Sequence, residues 1–275
     1  GTDPAEAAQL RSAGLPVLLG TQSGLAAFAH LRNWSHRAAK VAAWNDCLAQ
    51  TPFDLSTGPI NRPWTEAESM AALANEWLRP PHMISVGSAG EAVIAANAIG
   101  YPVVLKTAQP GITHKSDVSG VVLNLADATM VSDAWHILND TLGPLALVQE
   151  QINRASGIEL VLGAQCDPQF GPVVTLGLGG IWTEVLRDTI TFLAPVTPAE
   201  IIARLSELRG YALLTGIRNQ QAVDLTTLGA AVAGFAATFA AHSQSIAIME
   251  INPLLATGSS LVMLDALIIP AGVAS

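Results

Sequence analysis

The sequence is short of charge, and above all of lysine. Only 13% of its 275 residues are Asp, Glu, Lys or Arg, and three are lysines: Lys40, Lys106 and Lys115. With a net charge of −9 and no basic block, duplex nucleic acid is excluded as an expected partner. An anionic ligand such as a nucleotide would have to be held by few ammonium groups, by backbone amides and by a metal ion. Cysteine is equally scarce. Cys47 and Cys166 lie far apart and suit neither a disulfide framework nor a zinc site, so a reducing cytoplasm is the expected compartment. The opening GTDPAEAAQLRSAG contains acids and lacks the apolar core of a signal peptide. Half of the residues are apolar and the mean hydropathy is +0.40, yet no charge-free apolar run reaches the roughly 18 residues of a membrane span. The longest candidate, TTLGAAVAGFAATFAAHSQSIAIM, is built of Ala and Gly and is interrupted by His242, Ser243 and Gln244. It predicts a tightly packed interior helix and no membrane partner. The surplus of Ala and the shortage of charge point to a surface covered by another copy or domain, hence a homo-oligomer.

What is present is an intermingling of strand and helix patterns. Residues 14–20 predict a buried strand and 21–44 a helix capped by Thr21 or Ser23. One strand and one helix cannot make a core, so the first 45 residues read as the end of an α/β domain. AQTPFDLSTGPINRPWT, with Pro52, Pro59 and Pro63 and no periodicity, predicts a linker. Helices are then expected over 66–78, 88–100, with Ser88 as cap and Gly100 as stop, and 127–143. Strands are expected over 82–86, 102–106, 120–125 and 146–152. The second half is richer in strands, at 157–167, 171–180, 188–196, 245–256 and 260–269, with helices over 198–208, 210–217 and 225–242. Hairpin-like returns favour an α+β or mixed α/β fold over a doubly wound parallel sheet.

Two of the three lysines fall in GYPVVLKTAQPGITHKSDVSGVVLN, residues 100–124. Lys106 ends a strand, where it either marks the point at which the strand meets solvent or neutralises phosphate oxygens. His114 sits in a Pro-Gly-led loop, as an exposed side chain or as a nucleophile toward phosphorus, since neutral imidazole is available near pH 7. Asp117 could orient its ring and Lys115 could offset phosphoryl charge. Gly177, Gly179 and Gly180 follow an apolar strand and permit close backbone approach to phosphate, although GxGG is also an ordinary turn. Glu184 and Asp188 follow at helical spacing. Glu250, Asn252 and Asp265 are polar positions in apolar strands; their oxygens suit Mg²⁺, or they are the solvent side of an edge hairpin.

Taken in order, GYPVVLK, HKSDVSGVVLNL, GIELVLGAQCDPQFGPVVTLGLGGIWTEVLRD, LLTGIR and EINPL resemble the ATP-grasp portion of NDP-forming (ADP-forming) acyl-CoA synthetases, relatives of succinyl-CoA synthetase. The resemblance covers about residues 66–270. It implies an ATP-grasp fold of two subdomains, preceded by the strand-helix remnant of a flavodoxin-like CoA-ligase domain. The implied division is 1–48 for that remnant, 49–65 for a linker, 66–140 for the N-terminal subdomain with the histidine loop, and 141–275 for the C-terminal subdomain with the nucleotide and metal site. The implied reaction is acyl-CoA + ADP + phosphate ⇌ acid + CoA + ATP, through acyl phosphate and phosphohistidine.

By the same resemblance His114 relays the phosphoryl group, Lys106 binds phosphate, Glu150 holds adenine and ribose, Glu159 and the Gly179-Gly180 turn face the phosphates, and Asn252 and Asp265 hold Mg²⁺. ATP or ADP and Mg²⁺ are the implied cofactors, with CoA in the complete enzyme. The implied partners are CoA-binding and CoA-ligase domains, upstream in the same chain or in a separate subunit. The alternative is a non-catalytic, ligand-sensing module of a protein acetyltransferase. Two positions depart from the family pattern: Ser119 and Asn219 stand where glycine is usual, and the segment 76–86 is irregular.

Overall fold

The computed structural model describes residues 4–14, 17, 25, 28, 29, 53, 55, 58–112, 115–180, 188–217 and 221–273. Residues 1–46 and 47–275 form separate compact units. In the first, α1 spans Pro4–Ser12, begun by a proline and with Glu6 and Arg11 placed to complement the helix dipole. The strand expected at 14–20 and the helix expected over 21–44 lie outside the described residues, isolated positions apart.

The second unit opens with α2, Glu66–Leu73, shorter than the 66–78 expected. Asn75 ends it: its Oδ1 accepts from the backbone of Trp77 and Leu78 at 2.8 and 2.7 Å, turning the chain into β1, Leu78–Arg79. At the helix start Thr65 and Glu68 form a capping box, and Arg62 grips the Glu68 carboxylate at 2.7 and 2.8 Å. That grip, helped by the Thr65 amide and against the cost of burial, holds the Glu68 carboxyl down at about 2.

Four strands follow: β2 Met83–Val86, β3 Val103–Thr107, β4 Val121–Leu125 and β5 Ala146–Glu150, in the order β2-β5-β3-β4, all neighbours antiparallel. Two helices, α3 Ala89–Ile99 and α4 Ala128–Leu142, are capped by Ser88 and Asp127 and stopped by Gly100 and Gly143 at φ 96° and 111°. Their Ala92, Ala96, Val131 and Leu138 pack on Val103, Leu105 and Val148 as a small core.

The larger sheet holds seven strands, ordered β1-β10-β9-β6-β7-β8 with β11 also on β9. Besides β1 they are β6 Ile158–Asp167, β7 Gly171–Leu178, β8 Thr189–Leu193, β9 Ile246–Thr257, β10 Ser260–Met263 and β11 Ala266–Pro270. Against it lie α5 Pro198–Arg204, α6 Tyr211–Leu214 and α7 Leu225–His242. In α7, Leu228, Val232, Phe235 and Phe239 are fully buried, each contributing about 1.5–3 kcal/mol. This is the interior helix that its composition predicts. Against the expectation that no charge-free run reaches that length, its 18 residues would by length and composition suffice to cross a membrane. The sheets divide the chain differently from the 66–140 and 141–275 expected. Residues 78–79 pair into the large sheet, and the small sheet runs on to Glu150.

Two local departures shape the site. The run 260–269 is not one strand. It breaks at Leu264-Asp265 opposite Asn252-Pro253, where the Leu264 amide still donates to the Pro253 carbonyl at 2.9 Å. Proline has no N–H to return, so the Leu264 carbonyl is left for another donor. Second, Ser119 sits at φ 56°, in the left-handed region that costs a side-chain-bearing residue about 1 kcal/mol. The next residue must be glycine, since a Cβ on Gly120 would lie 2.6 Å from the Thr107 side chain. Ser119→Gly is therefore expected to stabilise the chain by about 0.5–1 kcal/mol, read as a raised urea midpoint. A lowered midpoint would show that the Ser119 side chain offsets its strained backbone.

Candidate functional site

A cleft of about 660 Å³ is lined from both sheets and from the loop between β3 and β4. Its wall includes Glu66, Thr107 at the end of β3, the loop residues 108–112, Lys115, Ser116 and Asp117, then Arg154, Glu159, Gly180, Glu250, Asn252 and Asp265.

Four charges meet at one side of it. Lys106 Nζ lies 2.6 Å from Glu66 Oε1 and donates to the freed Leu264 carbonyl at 2.7 Å. Lys115 Nζ lies 3.0 Å from Glu66 Oε2 and 3.1 Å from Asp265 Oδ2. Glu66 therefore bridges the only two lysines outside the N-terminal unit, one to each carboxylate oxygen. Burying ions costs several kcal/mol each and is tolerated only when partners are this close. Burial pulls the Lys115 ammonium down, but Glu66 and Asp265 together outweigh it and hold its pKa above the ordinary lysine value. Burial pushes the Asp265 carboxyl up to about 6, assisted by the negative charge of Glu66 and opposed by the two ammoniums. Its side chain keeps 30% exposure, toward the cleft it lines.

Across the cleft, Arg154 holds Glu159 at 2.5 and 2.6 Å. The Gly179 amide donates to the Glu159 carbonyl at 2.7 Å. Gly180, at φ 65°, lies so close that a Cβ would stand 3.0 Å from Glu159 Oε2. Approach to the Glu159 backbone thus favours glycine at 179, and the left-handed φ favours it at 180. On β9, Asn252 Nδ2 donates to Glu250 Oε1 at 3.0 Å, which leaves the amide oxygen as an acceptor. Its backbone amide donates to the Asp265 carbonyl at 3.1 Å, tying the two positions across the broken hairpin.

No three of His, Cys, Asp or Glu converge as a closed metal cage among the described residues. The donors that line the cleft, Glu250, Asn252 and Asp265, are all oxygens in an open set, which fits a hard cation whose remaining ligands are phosphate oxygens.

Of the positions expected from sequence, Lys115, Glu159, Gly180, Asn252 and Asp265 line the cleft, with Asp117 and Glu250. Lys106, Glu150 and Gly179 do not. Lys106 is 8% exposed, so it is not the point where the strand meets solvent. Glu150 instead fastens the chain at residue 82: its amide donates to the His82 carbonyl at 2.8 Å, and its Oε2 accepts from the His82 amide at 3.2 Å. Asp188 accepts from the Arg209 and Gly210 amides at 2.8 Å each and holds that turn, away from the cleft lining. His114, Glu184 and Asn219 lie outside the described residues. Sequence reasoning missed Glu66, Arg62 and Arg154. Only the acidic first turn behind the Thr65 cap hinted at the first.

Residues 61–269 match the model of the ATP-grasp domain family. The chain is 31% identical over 216 residues to the β subunit of ADP-forming acetate–CoA ligase I of Pyrococcus furiosus, covering 75% of this chain and 91% of that subunit. It is 28% identical over 269 residues to ADP-forming acetate–CoA ligase I of Archaeoglobus fulgidus, covering 93% of this chain and 39% of that protein. It spans 28–39% of the length of the longer curated relatives it matches. Among solved structures, the dinucleotide-forming acetyl-coenzyme A synthetase 1 of Ca. Korarchaeum cryptofilum superposes with a TM-score of 0.65 at 33% identity, covering 76% of this chain and 93% of that one. That protein was solved with coenzyme A and Mg-AMPPCP, its phosphohistidine segment pointing towards the nucleotide binding site.

Proposed function

The chain belongs to the ATP-grasp domain family, and from that premise we propose that it is the nucleotide-binding, phosphohistidine-handling part of an ADP-forming acyl-CoA synthetase. The observation that carries this reading is the place of Lys115. Next in sequence to His114, it stands in the cleft wall between Glu66 and Asp265, so the segment bearing the histidine is rooted where a nucleotide would lie.

In the proposed step a ring nitrogen of neutral His114 forms a bond to the γ-phosphorus of ATP. The bond from that phosphorus to the β–γ bridging oxygen breaks, the electron pair leaves on ADP, and the other ring nitrogen keeps its hydrogen. Lys115 offsets charge on the transferred group, and Lys106 acts beside it through their shared carboxylate. Arg154 and Gly180 face the phosphates with Glu159. Glu250, Asn252 and Asp265 would hold Mg²⁺, which supplies charge neutralisation when bound. CoA-binding and CoA-ligase domains, in the same polypeptide or in a separate subunit, complete the conversion of acyl-CoA, ADP and phosphate to acid, CoA and ATP in the cytoplasm.

Incubation with γ-labelled ATP and Mg²⁺ tests this. The expected result is label on the protein that survives alkali and is lost in acid, as a phosphohistidine requires. Nucleotide binding without label, even with the CoA-binding domains added, would return the chain to the ligand-sensing alternative.

A further inference from the structure

We propose that Glu66 is a positioning residue for the phosphoryl transfer: its single carboxylate sets the Lys106 and Lys115 ammoniums side by side and fixes the root of the His114 segment at the cleft wall. The proposal rests on the nucleotide reading above. Glu66 Oε1 accepts from Lys106 at 2.6 Å, and Oε2 lies 3.0 Å from Lys115 as an ion pair without a hydrogen bond. Two ammoniums at such range repel each other and would separate without the anion between them.

The carboxylate is itself held rigidly. Glu66 is the first residue of α2, its side chain 3% exposed, behind a Thr65–Glu68 capping box that Arg62 reinforces. The first turn of a helix is also where the backbone favours negative charge. On the other side, the Lys115 carbonyl accepts from the Gly120 amide at 2.7 Å, and the Gly120 carbonyl accepts from the Thr107 amide at 2.7 Å. Lys115 therefore closes the loop back onto the end of β3 that carries Lys106. One anion on the large-sheet side thus governs both ends of the excursion that carries His114. Glu66 works through these ammoniums, because a free carboxylate beside a phosphate would only repel it.

The test compares single-turnover labelling from Mg-ATP with ATP affinity, read by thermal shift, in wild type, Glu66→Gln and Glu66→Asp. Losing the charge is expected to slow transfer roughly 10–100-fold while ATP affinity changes less than about threefold. Glu66→Asp keeps the charge but is too short to reach both lysines. It is expected to remain folded and about 10-fold slow, and it carries the test if Glu66→Gln does not fold. A wild-type rate in either variant overturns the proposal. So does a parallel loss of rate and affinity in Glu66→Gln that Glu66→Asp fully restores, the mark of a merely structural anion. An unlabelled wild type overturns the nucleotide reading as well, whereas labelled wild type with equally labelled Glu66→Gln overturns this proposal alone.

Discussion

His114→Asn is expected to bind Mg-ATP like the wild type and to take no phosphoryl group from it, with labelling at least about 1,000-fold slower. Asparagine keeps a similar size and polarity, so the loss isolates the nucleophilic ring nitrogen. No other histidine is placed to replace it among the described residues. His82 and His136 do not line the cleft, and His242 stands at the end of α7 with its Nδ1 2.9 Å from the Thr238 carbonyl. The carboxylates that do line the cleft, Asp117 and Glu159 among them, would give an acyl phosphate, which is lost in alkali as well as in acid. Equal alkali-stable label on wild type and His114→Asn would remove this histidine from the mechanism.

The elements most legible in the sequence are those whose determinants are local. Ser88 and Gly100 bracket α3 because cap and stop act within one helical turn, and Asp127 does the same for α4. The Ala-rich α7 was legible as interior because nothing on it could face water in quantity. In the site, the rarity of lysine made Lys106 and Lys115 conspicuous, and the glycines after β7 marked a close approach that proved to be to Glu159. What stayed hidden depends on distant pairing. Glu66 reaches Lys106 across 40 positions and reads locally as an ordinary acidic first-turn residue. The strand and loop around Lys106 are legible locally, whereas the carbonyl and carboxylate that meet its ammonium lie far away in sequence. The break inside SLVMLDALII is equally silent, since it arises from Pro253 on the facing strand. Asn75 ended α2 early by capturing two amides, a turn that a helical apolar pattern conceals.

Lys115→Met is expected to destabilise the chain by about 3 kcal/mol, because removing one partner of a buried ion pair leaves the other uncompensated. The comparison with Lys106→Met sharpens the point. Each substitution leaves the cluster one positive charge short, yet the two are not equivalent. Lys115 stands between Glu66 and Asp265, within 3.0 Å of one and 3.1 Å of the other, whereas Lys106 touches Glu66 and a neutral carbonyl. Methionine at 115 therefore removes the one ammonium in contact with both carboxylates, and their mutual repulsion adds to the lost pair. At 106 it leaves Glu66 still paired with Lys115. Urea unfolding should accordingly rank wild type above Lys106→Met and Lys106→Met above Lys115→Met, with unchanged slopes if the native fold is retained. A Lys115→Met midpoint equal to that of the wild type would mean that the Asp265 and Glu66 charges are already relieved by solvent, and the ionic wall of the cleft would then play no part in holding it together.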